Sequence, residues 1–291
     1  MHPAPSVILF TSLSGLGFGL LTFLGFGTPD VSGWVAFVFF FVAYALAVGG
    51  LLFSTLHLGN PQRAIYAFSQ WRTSWLSREG ISAVAALCVM AIYAIGVIFL
   101  GQNWQVIGWI GAALSLLTVF TTSKIYNQLK TVPRWNMALT PFLFLTYSVS
   151  GGALLAGQVR LAAVLLLVLV VVQLAYWSIG DRAFANAGHT LETATGLGDL
   201  GEMRLLEGPH TGPNYLLKEM VHIVGRKHAL KLRSIAVVTL GLFPVAILIL
   251  LPASHLLAGI AVISHLIGVL TARWLFFAEA EHVVGLYYDK R

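Results

Sequence analysis

The chain has 291 residues, of which 58% are hydrophobic and only 10% charged, and its mean hydropathy is +0.84. These values exclude an ordinary soluble globular domain. The formal charge is +6 and the pI about 9.6, but the basic residues occupy short segments between apolar runs. They therefore indicate membrane topology rather than nucleic-acid binding.

Eight apolar runs follow one another along the chain. Each holds about 18 to 25 residues, which is the length that crosses a hydrocarbon core. Because lipid offers no partner to backbone groups, and the runs lack the alternation of barrel strands, each run is predicted to be a helix. The chain is thus predicted to be an all-α integral membrane protein, a bundle of about eight transmembrane helices at residues 7–26, 33–56, 81–100, 104–122, 137–158, 161–180, 234–251 and 254–277.

The basic residues lie almost entirely on one side of this predicted bundle. Fifteen of the 17 Lys and Arg residues fall there, and the exceptions are Arg160 and Arg273. The positive-inside rule then predicts that this side and both termini are cytoplasmic. Binding of a partner by the same cations is an alternative that is compatible with this topology. Arg273 lies inside the last predicted helix, near its charged end, and is expected to snorkel to the interface.

One connection is much longer than the others. Residues 1–291 are predicted to form a single transmembrane domain, in which residues 181–233 are a long cytoplasmic loop between helices six and seven. A polar connection of this length is expected to dock something. Within it, apolar residues at helical spacing predict an amphipathic helix over 215–233, either interfacial or solvated.

The residues that bind redox centres are sparse. Cys88 is the single cysteine, so the chain supplies no cysteine motif for an iron–sulfur cluster. Of the nine histidines, only His265 lies well within a predicted span, which disfavours a pair of haem ligands on facing helices. We therefore expect no haem, iron–sulfur cluster or metal site in this chain.

Polar residues concentrate in three patches on the basic side. The densest runs from His57 to Glu79, between the second and third predicted helices, and the others are residues 124–134 and 273–282. Interfacial anchoring explains any one of these residues. Three patches at one depth, however, predict a functional site, because ionisable groups at a membrane edge are costly unless they are used.

At these patches the sequence resembles a known family, the anchor subunits of the dimethyl sulfoxide reductase type of complex iron–sulfur molybdoenzymes. The resemblance rests on LHLGNPQRA at 56–64, LSREG at 76–80, YNQLKTVPRWNMALTP at 126–141 and the region of Arg273. The long loop, the predicted orientation and segments such as SQWRTSWLSREG and ARWLFFAEAEH are similar to the branch that serves the cytoplasmic sulfite dehydrogenase.

The resemblance implies a membrane anchor that passes electrons between a partner iron–sulfur subunit and the quinone pool. A molybdopterin catalytic subunit would be the other partner, quinone (ubiquinone or menaquinone) the only cofactor, and the bacterial inner membrane the location, with the partners on the cytoplasmic side. Oxidation of sulfite linked to quinone reduction is the expected reaction. By their places in the motifs, His57 corresponds to the family's quinone-site histidine and Glu79 to its acidic partner.

The remaining site residues follow from what a quinone pocket requires. Reduction needs two electrons and two protons at a ring whose oxygens pass through charged forms, so an apolar pocket with a few donors is expected. His57 is predicted to donate to one carbonyl and Glu79 to relay protons. Further binding residues are predicted to stabilise charge or line the ring: Arg72, Trp71, Trp75, Arg78, Tyr126 and Arg273.

Three other functions are compatible with the same pattern. One is a quinol-oxidising anchor of a dimethyl sulfoxide-type reductase, and another is a structural tether without quinone chemistry. A secondary transporter is the alternative of another class, although transporters place their functional ions near the bilayer midplane and often contain internal repeats. In this sequence the polar residues cluster at one face and no repeat is evident.

Overall fold

The structure is a computed structural model that describes residues 1–55, 60–207, 212, 214–221 and 224–289. His57 lies outside the described residues, and so do His210, His222, Lys290 and Arg291.

The fold is an all-α membrane bundle, as predicted. Helices make up 78% of the structure, and the described residues contain no strand. Seven helical segments are long and apolar enough to cross a membrane. They are formed by α1 (Pro5–Gly25), α2 (Gly33–Thr55), α3 (Trp75–Ile95), α4 (Gln105–Asn127), α6 (Val159–Asn186), the pair α8 (Ala229–Val237) and α9 (Phe243–Leu250), and α10 (His255–Ala278).

The eighth predicted helix is α5 (Leu139–Leu155), which has 17 residues and is apolar. At 1.5 Å per residue it spans about 26 Å, a little less than a hydrocarbon core of about 30 Å. Most of its side chains are buried against α1, α4 and α6. The protein around α5 therefore shields its ends from lipid.

Helix α1 occupies the centre of the bundle, and small residues set how closely its neighbours approach. A Cβ atom built on Gly19 would overlap the carbonyl group of Ser148 on α5, and one built on Gly152 would overlap the backbone of Gly19. Gly25 meets Gly108 of α4 in the same way. Small residues at such crossings let membrane helices gain van der Waals contact where the hydrophobic effect is weak.

Both ends of the chain lie at the same end of the bundle. The Met1 ammonium donates to the carbonyl oxygen of Ala280 at 2.7 Å. The backbone N–H of His2 donates to the carbonyl oxygen of Glu219, also at 2.7 Å. An even number of crossings requires this arrangement. The three polar patches are at this end too, and we call it the polar end.

The segment that connects α6 to α8 contains only short helices. Helix α6 continues through Asp181 to Asn186, and α7 (Leu191–Thr195) has five residues. The amphipathic helix predicted over 215–233 is not continuous, because helical turns end at Val221, whose backbone is at φ −111° and ψ 64°. A short turn at Val224–His228 then leads directly into α8. The prediction of one long helix was wrong, because the helical turn ends at Val221 and only the last residues of the predicted segment, from Ala229 onward, belong to the membrane helix α8.

Candidate functional site

The end of the first patch lies on the start of α3, not in a loop. The hydropathy pattern places the start of this helix at residue 81, but α3 begins at Trp75, where the Ser74 side chain accepts a hydrogen bond from the Ser77 N–H at 3.4 Å. A serine N-cap of this kind satisfies one of the free amides of the first turn. Trp75, Arg78 and Glu79 therefore project from regular helix and have fixed directions.

Glu79 is the buried acid of this patch. Only 4% of its surface is exposed, and it faces α4, where the hydroxyl of Thr122 donates to its Oε1 atom at 2.7 Å. One turn further along the same interface, the hydroxyls of Ser82 and Thr121 are 3.1 Å apart. None of the ion pairs formed by the described residues includes Glu79. A carboxyl kept inside a membrane bundle without a cation is costly, which favours a functional role.

Two arginines and two tryptophans surround the start of the same helix. Arg78 donates from Nε to the carbonyl oxygen of Trp71 at 2.9 Å and from Nη2 to that of Arg72 at 2.7 Å. Its guanidinium lies 4.3 Å from the ring centroid of Trp75. The guanidinium of Arg72 lies 5.3 Å from the ring centroid of Trp71. The predicted residues Trp71, Arg72, Trp75 and Arg78 are thus brought together as one group beside Glu79. We call these five residues the edge group.

A short 3-10 segment, Pro61–Gln70, leads into the edge group and exposes large apolar side chains. Ile65 is 71% exposed, Tyr66 68% and Phe68 41%. The segment is held to α3 by a hydrogen bond from the Ser77 hydroxyl to the carbonyl of Ala67. Apolar side chains presented at a membrane edge are typical of contact with lipid headgroups, a ligand or a protein partner.

The second patch joins the edge group to the aromatic interior. Lys124 lies 5.6 Å from the ring centroid of Trp75 and donates to Oδ1 of Asn127 at 2.6 Å. Tyr126, two residues further on, is buried among other rings, with centroid distances of 5.4 to 5.7 Å to Trp135, Phe144, Phe276 and Phe277. Tyr126 thus lies behind the edge group and does not line its exposed face.

Arg273 is also separate from the edge group, and the prediction that it snorkels to the interface was wrong. Only 3% of its surface is exposed, and its guanidinium lies 3.7 Å from the ring centroid of Phe144 and 4.9 Å from that of Tyr147. Aromatic faces stabilise a cation inside the bundle, so it does not have to reach water.

An ionic cluster that no sequence pattern predicted closes the polar end. Arg134 pairs with Asp181 at 2.6 Å and with Glu279 at 3.5 Å, and Arg233 pairs with the same two acids at 2.6 and 2.8 Å. These four residues join the α4–α5 connection, α6, α8 and the end of α10. Pairing two cations with two acids leaves no net charge in the cluster, which makes the burial of Arg134 and Glu279 tolerable.

The third patch continues past α10 to a second ion pair. Glu281 accepts from Arg226 at 3.1 Å, and the neighbouring His282 is half-buried. Burial lowers the pKa of the His282 imidazole, and the nearby N-terminal amino group lowers it further. Its Nδ1 accepts from the N–H of Val284 at 3.0 Å. These contacts make His282 and Glu281 structural parts of the polar end.

The predicted site residues therefore form two sets. The edge group collects Glu79, Trp71, Arg72, Trp75 and Arg78, whereas Tyr126 and Arg273 belong to the aromatic interior behind it. Thr122 was missed as the partner of Glu79. The run Thr121, Thr122 and Ser123 at the end of an apolar stretch was the available signal. Among the described residues, no group of three or more His, Cys, Asp or Glu side chains could hold a metal ion.

Comparisons with known proteins agree with the geometry. The family model of the DMSO reductase anchor subunit (DmsC) matches residues 1–278. A subunit of the sulfite dehydrogenase of Allochromatium vinosum is 32% identical over 99% of both sequences. No solved structure matches the protein.

Two further relatives match over part of their length. A component of the anaerobic dimethyl sulfoxide reductase of Haemophilus influenzae is 28% identical over 40% of this protein and 42% of its own length. The anaerobic dimethyl sulfoxide reductase component YnfH of Escherichia coli is 31% identical over 43% and 45%. The family match over nearly the whole sequence shows that this protein belongs to the DMSO reductase anchor subunit (DmsC) family and is a membrane-spanning part of an oxidoreductase complex.

Proposed function

We propose that this subunit holds a molybdenum and iron–sulfur oxidoreductase to the membrane and reacts with quinone at the edge group. Electrons would pass from a partner iron–sulfur subunit to the quinone pool, and sulfite would be oxidised by a molybdopterin-containing partner. The similarity to a sulfite dehydrogenase subunit over the whole sequence supports sulfite as the donor. The main support for quinone chemistry is that Glu79 is buried close to exposed aromatic side chains at the polar end.

The edge group offers the chemistry that quinone reduction needs. Sulfite and water yield sulfate, two protons and two electrons, and a quinone takes up two electrons and two protons to become a quinol. Glu79 is placed to deliver protons, because its carboxyl contacts a hydroxyl of α4 and no cation. The guanidinium groups of Arg72 and Arg78 supply positive charge where a quinone oxygen becomes negative. Trp71 and Trp75 provide the flat apolar walls that suit a ring.

The last part of the proposal concerns the side of the membrane that the polar end faces. The polar end carries nearly all Lys and Arg residues, and the positive-inside rule assigns it to the cytoplasm. We therefore place the iron–sulfur and molybdopterin partners on the cytoplasmic side of a bacterial inner membrane. The loop over residues 181–233 and the exposed segment Pro61–Gln70 would meet them there. Quinone is the one cofactor assigned to this protein, with no haem or iron–sulfur cluster of its own.

His57 provides the test of quinone reactivity. His57→Ala should lower sulfite-to-quinone turnover at least tenfold, because it removes a positioned donor. Sulfite oxidation with an artificial acceptor that takes electrons from the iron–sulfur partner should stay within a factor of about two, because that route bypasses the anchor. His189→Ala, a substitution at the polar end outside the edge group, is the matched control.

Both routes are measured on the purified complex at equal molybdenum content. Unchanged quinone turnover in the His57 variant would remove this residue from the site. Equal loss of both activities would instead indicate a failure of assembly, and the quinone assignment would lose its support. Assaying the reverse direction, quinol oxidation with dimethyl sulfoxide as acceptor, decides between the two directions of electron flow.

A further inference from the structure

A cavity lies at the end of the bundle opposite the edge group. It has a volume of about 620 Å³, counting the mouth that is open to the surroundings. Its walls come from the end of α1, the 26–32 connection, the start of α2, and the turns that follow α3. Polar lining is supplied by Asp30, Ser32, Tyr93, Gln102 and Asn103. None of these residues belongs to the proposed quinone site.

The cavity is held open by fixed contacts. Gln105 donates from Nε2 to the carbonyl oxygen of Gly25 at 2.9 Å, which fixes the end of α1 against α4. Tyr93 is 2% exposed, and its hydroxyl donates to Oδ1 of Asn103 at 3.2 Å. Because Oδ1 of Asn103 accepts this bond, and the described residues offer no acceptor to its amide nitrogen, that nitrogen can donate to a ligand. The cavity is therefore preformed and contains both donors and an acid.

Asp30 gives this cavity a negative charge. The connections at this end of the bundle are residues 26–32, 101–104, 156–158 and 251–254, and Asp30 is their only charged side chain. Arg160, at the start of α6, is the nearest charge in sequence to any of them. A ligand of this cavity should therefore carry a cationic group and should not be a net anion.

An apolar trough adjoins the cavity. It runs between α2 and α3 on the lipid-facing surface, has a volume of about 560 Å³ when the space open to the surroundings is counted, and is lined by Phe37, Phe41, Ala91, Ile95 and Phe99 among others. Phe40 borders both the trough and the cavity. The single polar group in the trough, the hydroxyl of Tyr44, is already used, because it donates to the carbonyl oxygen of Leu87 at 2.6 Å. The trough thus suits a long hydrocarbon tail.

We propose that the cavity and the trough together bind one phospholipid with an amine headgroup, of the phosphatidylethanolamine type. The ammonium would pair with the carboxylate of Asp30, the phosphate would accept from the amide groups of Gln102 and Asn103, and an acyl tail would lie along the trough past Phe40. The charge of Asp30 selects against anionic lipids such as phosphatidylglycerol. This site is independent of the proposed quinone chemistry.

Native mass spectrometry of the purified full-length protein tests the proposal. The protein is exchanged into detergent that contains equal amounts of phosphatidylethanolamine and phosphatidylglycerol with the same acyl tails. The wild type should retain one phosphatidylethanolamine in clear preference. Asp30→Asn should lower that occupancy about tenfold, the loss expected for one charge-assisted hydrogen bond. Arg160→Gln, which removes a charge at the same end, should leave it unchanged.

A second pair of variants tests the trough. Ala91→Trp fills it and should lower retention of the lipid, whereas Ile92→Trp places the same ring on the neighbouring exposed position of α3, outside the trough, and should not. Equal retention of the two lipids by the wild type would overturn the proposal. It would also be overturned by an Asp30→Asn variant with wild-type selectivity, or by a bound quinone in place of the lipid.

Discussion

Replacing Glu79 with glutamine is expected to lower quinone-linked turnover about a hundredfold while leaving the assembled complex and its reaction with artificial acceptors intact. The carboxyl is buried between α3 and α4 and has one described hydrogen-bond donor, Thr122. Glutamine fills the same space and still accepts from Thr122, but it cannot exchange a proton. Loss of a positioned acid or base typically costs a factor of about 10² to 10⁴.

Variants of Thr122 distinguish the positioning of Glu79 from its role in proton transfer. Thr122→Val removes the donor at Oε1 of Glu79 with little change in the volume of the side chain, and Thr122→Ser keeps the donor. We expect Thr122→Val to lower turnover several-fold and to shift its pH profile, and Thr122→Ser to restore both. Glu192→Gln, at a position outside the bundle, is the control for removal of a carboxylate. If Glu79→Gln retained more than half of the quinone-linked rate, Glu79 would not be the proton donor.

The largest structural effect is expected at Gly19. Its Cα hydrogens face the backbone of α5 at Ser148, and Gly152 meets Gly19 at the same crossing. Gly19→Val would drive a branched side chain into the backbone of α5, which cannot move aside as a flexible side chain can. Overpacking usually costs about 1 to 3 kcal/mol, and a clash with backbone belongs at or above the upper limit. We expect the variant to lose most of its folded yield.

Gly15 provides a matched control for this substitution. It lies one turn earlier on α1, and a Cβ atom built there meets nothing within 4 Å. Gly15→Val should therefore give near wild-type yield, and fluorescence-detected size-exclusion chromatography of the two variants measures the difference directly. Similar yields for Gly19→Val and Gly15→Val would show that α1 and α5 do not pack as closely as described.

The sequence predicts the helices well because lipid imposes a simple rule. Every backbone amide within the bilayer needs a partner in the same segment, so a long apolar run has to be a helix. The start of α3 could not be predicted in this way, because Arg78 and Glu79 lower the local hydropathy although they lie on regular helix. The N-cap at Ser74 was the signal that hydropathy overlooks.

The site was only partly predictable. The edge group is local in sequence, so its members could be named together before their contacts were known. The ionic cluster joins Arg134 to Glu279 across 145 residues, and no pattern of spacing relates positions so distant. Arg273 lies inside the bundle because rings from α5 and α10 cover its guanidinium. The sequence of α10 alone does not reveal the contact with α5.

Anchoring of a molybdenum and iron–sulfur oxidoreductase is the function on which the other proposals for this protein depend. The most direct test is to purify it from native membranes by a C-terminal tag in mild detergent, and to measure the copurifying subunits with iron and molybdenum per anchor. We expect two partner subunits in fixed proportion and about one molybdenum for each anchor, together with iron in excess, as a partner with several clusters requires. A metal-free anchor isolated without partners would contradict this function.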